Sequence, residues 1–301
     1  CDKELRPKVD DAERAAATDE SFPTEAFRTL GAAGLLSLPH PEEFGGYGQP
    51  DEGYLQVVEE IASAWMSVDV GVSVHSLTAY PVTTFGTPEQ QSTLLPDMLS
   101  DEQLGAYCLS EQQAGSDLTA VTTLAKPLEN GEYAVSGEKV YISAGMHSLT
   151  ENTVYFVLGR INTTTSTSYS LSCLLVPRFW PNPETGELED NHVECTSLLR
   201  KMGLKGCANT QLVFGRSGTT RAVLLGDRKN AGLLQLVPLM NQARMSTAII
   251  GLGLASSAYL HSADFAGKRF QGRAISRTSD ASAPPVAIIE HADVQRMLLE
   301  M

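Results

Sequence analysis

Cys108-Leu109-Ser110-Glu111-Gln112-Gln113-Ala114-Gly115-Ser116-Asp117 is the stretch on which the reading of this chain turns. Two small hydroxyls, Ser110 and Ser116, lie six residues apart, and Ala114-Gly115 between them lets backbone come close to a flat ligand. Leu104 to Leu109 reads as a short apolar strand, with Gly115-Ser116-Asp117 as the turn that ends it. Residue type alone leaves an ordinary loop open beside a ligand site. The surrounding chain decides between them.

Upstream, residues 1–103 carry helical periodicity. Tyr54, Val57, Val58, Ile61 and Trp65 recur at helical spacing after Asp51, which reads as the N-cap. Thr87-Pro88-Glu89-Gln90 reads as a capping box opening a helix that carries Leu94, Leu95 and Met98. The glycine-rich Pro41–Gly48 segment reads as a plain connector, because no basic residue accompanies it.

Downstream, residues 104–228 read as strands. Asn130-Gly131 between Ala125 and Val135 predicts a hairpin. Thr153–Leu158 and Ser170–Val176 are strand-like runs joined by the polar loop Asn162–Ser168, and Pro181–Asp190 is an acidic excursion rich in turn formers. Short strands at this spacing predict a small antiparallel barrel or sandwich. Helical patterning returns over 229–301. Leu233–Phe265 is apolar nearly all round, which predicts a buried helix. Inside it lie Asn241, Gln242 and Arg244, either a structural polar cluster or a ligand lining. Lys268, Arg269, Arg273 and Arg277 are the notable basic concentration, either a solvated helix end or a site for a phosphorylated ligand.

Lys+Arg total 22 against Asp+Glu 36, a net charge of -14, which argues against nucleic-acid binding and a basic membrane-surface helix. No apolar run reaches the length of a membrane span. Cys1, Cys108, Cys173, Cys195 and Cys207 form no C-x-x-C pair and read as reduced thiols of a cytoplasmic protein, and the scattered histidines predict no metal site. No G-x-G-x-x-G follows a strand, and neither a Walker loop nor a G-x-S-x-G elbow is present, which disfavours nicotinamide binding and hydrolase chemistry. The chain opens on Cys1, and a helix beginning near His291 meets no stop signal before Met301, so the sequence reads as truncated at both ends.

The order of helical domain, small β-barrel and helical domain resembles the acyl-CoA dehydrogenase family. Cys108-Leu109-Ser110-Glu111-x-x-Ala114-Gly115-Ser116-Asp117-x-x-Ala120 is similar to its signature at every specified position. Gly137-Glu138-Lys139-Val140-Tyr141-Ile142-Ser143 resembles the flavin-contact strand that follows. Lys201–Leu204 and Met240–Arg244 look most like the long bacterial subgroup.

That resemblance implies an α+β multidomain fold: an N-terminal all-α domain, a central small antiparallel β-barrel and the start of a C-terminal α-helical bundle. It implies FAD as cofactor, an acyl-CoA substrate, α,β-dehydrogenation as in fatty-acid β-oxidation, an electron-transfer flavoprotein as acceptor, and a homo-oligomer (dimer or tetramer). Ser110 would meet the pyrimidine end of the flavin, with backbone help from Leu109. Tyr141 would pack on the ring, and Ser143 would face its N5 region. Ser116 would touch both cofactor and acyl-CoA; Asn241 and Arg244 would line the thioester and pantetheine channel. Arg269 would contact the flavin pyrophosphate of a neighbouring subunit.

The sequence departs from the family at the base. One of the family's two glutamate positions falls here on Ala243, and the other would lie beyond Met301. No catalytic residue is therefore assigned, Glu111 reads as part of the turn motif, and these 301 residues alone are expected to show little or no turnover. Two other readings stay open: an acyl-CoA oxidase or flavin monooxygenase on the same scaffold, and a non-catalytic fragment or subunit completed by a partner.

Overall fold

The computed structural model describes residues 1, 3–19, 22–100, 102–161, 170–182 and 184–301; the polar loop expected at 162–168 lies outside them. Among the described residues four α-helices come first: α1 (Val9–Asp19), α2 (Thr24–Ala32), α3 (Asp51–Phe85) and α4 (Pro88–Leu99). The stripe expected on α3 is buried at Tyr54, Val58, Ile61 and Trp65. The helix kinks at Trp65 (φ -159°, ψ 89°), whose indole Nε1 donates to Glu13 Oε1 at 2.8 Å. Asp51 is not the N-cap. Pro50 holds that position in extended backbone, and Asp51 starts the first turn, where its charge meets the positive end of the helix. At α4 the capping box forms: Gln90 N–H donates to Thr87 Oγ1 at 3.2 Å and Thr87 N–H to Gln90 Oε1 at 3.1 Å.

Among the described residues ten strands follow, of which β1 (Gln103–Cys108), β2 (Leu124–Pro127), β3 (Tyr133–Ser143), β4 (Asn152–Arg160), β5 (Leu171–Pro177), β8 (Val193–Leu198), β9 (Asn209–Phe214) and β10 (Thr220–Leu224) form one sheet. Its order is β1-β4-β5-β10-β3-β9-β8, and β2 pairs with both β3 and β4. The path β4-β5-β10-β3-β2 thereby returns to β4 and makes the sheet barrel-like. The hairpin expected at Asn130-Gly131 is present, with Ala125 opposite Val135 and Gly131 at φ +85°.

The expectation of a wholly antiparallel barrel is corrected: β1 pairs with β4 in parallel, Gln103 opposite Asn152 through Cys108 opposite Val157. A parallel pair needs a long crossover, and the β2–β3 hairpin supplies it. The acidic excursion is also more ordered than expected. β6 (Phe179–Pro181) and β7 (Leu188–Asp190) form a separate two-stranded ribbon, with Arg221 stacked 4.5 Å from the Trp180 ring beneath it.

β4 shows why this region reads as nearly continuous apolar sequence. Val154, Phe156 and Leu158 face the helical layer of Ala79, Val82, Leu95 and Met98, whereas Tyr155 and Val157 face the barrel interior with Val176, Leu212 and Phe214. Both faces are dry, so the usual alternation with polar residues is lost. Gly105 lets β1 lie against α3, since a Cβ there would sit 2.3 Å from Thr78 Cβ.

α5 (Gly232–Lys268) crosses α3 and is followed by α6 (Ala292–Glu300), which begins beside His291 as expected. α5 is not the buried helix its composition predicts. Leu236 and Leu239 pack on the sheet and Ile250 on Tyr54 and Val58, but Leu234, Val237, Met245, Leu260 and Phe265 are all more than half exposed. The described residues cover one side of the helix only, so an all-round apolar sequence leaves its other side in solvent. Cys1, Cys108, Cys173 and Cys207 are free thiols, and among the described residues no helix is long and apolar enough to cross a membrane.

Candidate functional site

The segment after β1 is held from below by a buried ion pair. Lys139 Nζ lies 2.9 Å from Glu111 Oε1, the two side chains being 0% and 2% exposed. The same ammonium donates to the Leu109 carbonyl at 2.9 Å. Glu111 also accepts from the N–H and hydroxyl of Thr122 (both 2.7 Å) and from those of Thr123 (3.0 and 2.6 Å). Burial works to raise the Glu111 pKa, but the Lys139 charge and these donors overcome it and hold the carboxyl at about 2. Its backbone closes the turn, exchanging hydrogen bonds with Ala114 at 2.8 and 3.0 Å. Glu111 is therefore a fixed anion that shapes the loop.

β3 delivers the other half. Between Lys139 and Ile142 its register against β9 slips by one residue, a β-bulge at Val140-Tyr141. The bulge turns Val140 N–H away from the β9 ladder, and it donates to the Ser110 carbonyl at 2.9 Å. Tyr141 takes φ +64°, a left-handed conformation unusual for an aromatic residue, and the residue is 59% exposed.

Leu109, Ser110, Tyr141 and Ser143 are thus brought to one place. The Leu109 carbonyl is occupied by Lys139 and the Ser110 carbonyl by Val140, while among the described residues nothing accepts from Ser110 N–H or its hydroxyl. Ser143 pairs with Asn209, whose buried Oδ1 has no hydrogen-bond partner among the described residues. Gly115 has open space where a Cβ would stand, and Ser116 beside it is exposed. This donor set and open backbone suit a flat, polar-edged ring, so the residues fit a flavin.

Asn241 and Arg244 lie on α5 near this loop, because Tyr107 at the end of β1 donates its hydroxyl to Met240 Sδ at 3.4 Å. They are not the buried cluster of the sequence reading. Both are exposed, and Arg244 Nη1 donates to Asn241 Oδ1 at 3.1 Å, because the side of α5 they occupy is uncovered. Asn241 borders a cavity of about 210 Å³ between α3 and α5, together with Asp51, Tyr54, Tyr80, Pro238 and Gln242. Ala243 offers no proton acceptor.

Arg269 stands apart at the far end of α5, 25 residues beyond Arg244, roughly 37 Å along a helix. It donates to Gln271 Oε1 at 3.2 Å, while Lys268 and Arg277 are paired with Asp264 and Asp280. Lys268, Arg269 and Arg277 are exposed at and beyond the C-terminal end of α5. Sequence reasoning missed the role of Lys139; its signal was a lysine placed where strand alternation calls for a buried side chain, between Gly137 and Val140.

Family models for the acyl-CoA dehydrogenase N-terminal domain and middle domain match residues 1–102 and 106–217. An acyl-CoA dehydrogenase of Bacillus subtilis is 30% identical over 299 residues, 99% of this chain and 73% of that protein. The chain belongs to the acyl-CoA dehydrogenase family. A second family member, the 3-methylmercaptopropionyl-CoA dehydrogenase of Ruegeria pomeroyi, is 31% identical over 268 residues. The chain spans 44% of that relative's length, and 35% of the butyryl-CoA dehydrogenase of Syntrophomonas wolfei. Among solved structures, the butyryl-CoA dehydrogenase of Megasphaera elsdenii matches 99% of this chain and 71% of its own at TM-score 0.79 and 21% identity, which shows the shared fold. An acyl-CoA dehydrogenase of Bacillus anthracis complexed with FAD matches 99% and 45% at TM-score 0.77 and 24% identity.

Proposed function

We propose that this chain forms the flavin and acyl-CoA face of an FAD-dependent acyl-CoA dehydrogenase. The observation that carries this reading is the Ser110 group: pinned through its carbonyl, with both N–H and hydroxyl unengaged, beside the bulge that presents Tyr141.

FAD, when bound, takes up the β hydrogen of the acyl thioester with its electron pair, while the α proton passes to a carboxylate base and the Cα–Cβ bond becomes double. Ser110 N–H and hydroxyl hold the pyrimidine edge, where electron density accumulates. Ser143 lies toward the N5 region, Tyr141 covers the ring, and Ser116 stands where the two ligands adjoin. Asn241 and Arg244 line the thioester and pantetheine channel beside the α3–α5 cavity. The base is a glutamate outside these 301 residues, because the α5 position is Ala243. An electron-transfer flavoprotein is the electron acceptor, and Arg269, remote from this loop, serves the flavin pyrophosphate of a second subunit in a homo-oligomer. The exposed apolar side of α5 supports such association.

The test uses the full-length polypeptide. FAD binding is followed by its visible absorbance in wild type and Ser110→Ala. Weaker binding in the variant by about tenfold, as for loss of a hydrogen bond to a charged or electron-rich group, is the expected result. The 301-residue chain alone is expected to show little or no turnover. Retained turnover by it would refute the placement of the base.

A further inference from the structure

We propose that Lys139 sets the reduction potential of the bound flavin by polarising the Leu109–Ser110 peptide. The inference rests on the reading above, in which Ser110 meets the pyrimidine edge.

The peptide is trans, as all those described here are, so its carbonyl and its N–H point in opposite directions. On the carbonyl side stands the Lys139 ammonium, 2.9 Å from Leu109 O and 0% exposed. On the other side Ser110 N–H has no acceptor among the described residues. A cation on a carbonyl oxygen draws electron density out of the amide and makes the opposite N–H a stronger donor. The effect grows where water is excluded.

The arrangement also keeps the cation in place. Glu111 Oε1 holds the ammonium at 2.9 Å, and Glu111 is fixed in turn by four donors from Thr122 and Thr123. Lys139 therefore stays on the Leu109 carbonyl, with Glu111 behind it. The Thr123–Glu111–Lys139–Leu109 series is a line of fixed dipoles ending at Ser110 N–H, with its positive end toward the ligand.

A donor aimed at the pyrimidine edge stabilises the ring more after it has gained two electrons than before, because the added charge lies partly there. Strengthening that donor raises the potential. A structural role alone, holding the loop in shape, changes affinity for both redox states equally and leaves the potential where it was.

The experiment is an equilibrium reductive titration of the FAD-loaded full-length polypeptide against a reference dye. Wild type is compared with Lys139→Met/Glu111→Gln, which removes both charges and leaves neither buried alone, and with Lys139→Arg, which keeps the cation. The double variant is expected to lose about tenfold of the preference for reduced over oxidised flavin, a fall of ~30 mV for a two-electron couple, with Lys139→Arg close to wild type. An unchanged potential in a double variant that retains FAD would overturn the proposal and leave the flavin reading intact. Loss of FAD from both variants would overturn it as well, since Lys139 would then serve the loop's shape. A wild type that binds no flavin would remove the proposal together with the reading beneath it.

Discussion

The Lys139 ammonium and the Glu111 carboxylate meet at 2.9 Å with both side chains buried. Removing one partner leaves the other as an uncompensated buried charge, whereas removing both leaves neutral groups of similar shape. Lys139→Met is expected to destabilise the chain by ~3–5 kcal/mol in denaturant unfolding, and Lys139→Met/Glu111→Gln by clearly less. Equal losses in the two would mean that the pair is not coupled.

The same pair predicts an acid response. Glu111 titrates at about 2 in the folded chain against an ordinary 4.5, so the unfolded chain binds its proton first as pH falls. Its contribution is complete above about 4.5 and is lost as pH falls through about 2. The difference in unfolding free energy between wild type and Glu111→Gln, measured across this window, should shrink with acid.

Tyr141 combines a left-handed φ of +64° with 59% exposure, so it stores strain and gains little packing in return. Tyr141→Gly should stabilise the FAD-free protein by ~0.5–1 kcal/mol, strain relief exceeding the glycine's added freedom in the unfolded chain. It should weaken FAD binding at the same time. A variant that is both less stable and unaltered in FAD binding would assign the bulge no role at the site.

Asp69, in the middle of α3, gives a pH response of opposite sign to that of Glu111. It is 0% exposed, neither carboxyl oxygen has a hydrogen-bond partner among the described residues, and burial lifts its pKa from 3.8 to about 7 despite nearby Ser73. The folded chain holds this proton after the unfolded chain has released it, so stability falls as pH rises from about 3.8 through about 7. Asp69→Asn removes that fall and should gain up to ~4 kcal/mol over wild type by about pH 8, read by thermal unfolding of both proteins. Comparing the two also cancels the opposing contribution of His40 and His75, which burial holds down at about 4 and about 3.

Local signals in the sequence translated well where one short stretch carries the whole determinant. Thr87 and Gln90 cap each other without help from elsewhere, and Glu129-Asn130-Gly131 close their hairpin between Leu128 and Glu132. The strand of the signature and the helix near His291 were legible for the same reason. Long-range facts were not. The parallel pairing of β1 with β4 depends on where the β2–β3 crossover lands, which no window of residues contains. The exposure of α5 depends on what else surrounds it, and its composition states only which surfaces need cover.

At the site the pattern was similar. The motifs place Tyr141 and Ser143 on a strand and Ser110 beside one, but nothing in them marks Lys139, the group that joins those elements. Leu109 also changed meaning: its carbonyl faces Lys139, so the free backbone donor at that peptide belongs to Ser110. Burial of a lysine is a tertiary fact. It becomes visible only when Glu111, 28 residues away, is seen to receive it.

The most direct measurement is anaerobic titration of the purified full-length polypeptide, loaded with FAD, with an acyl-CoA thioester while the visible flavin absorbance is recorded. Loss of the oxidised flavin band in proportion to thioester, slowed or weakened in Ser110→Ala, is the predicted result. A protein that takes up no FAD, or a bound flavin whose spectrum no acyl-CoA thioester alters, would contradict it.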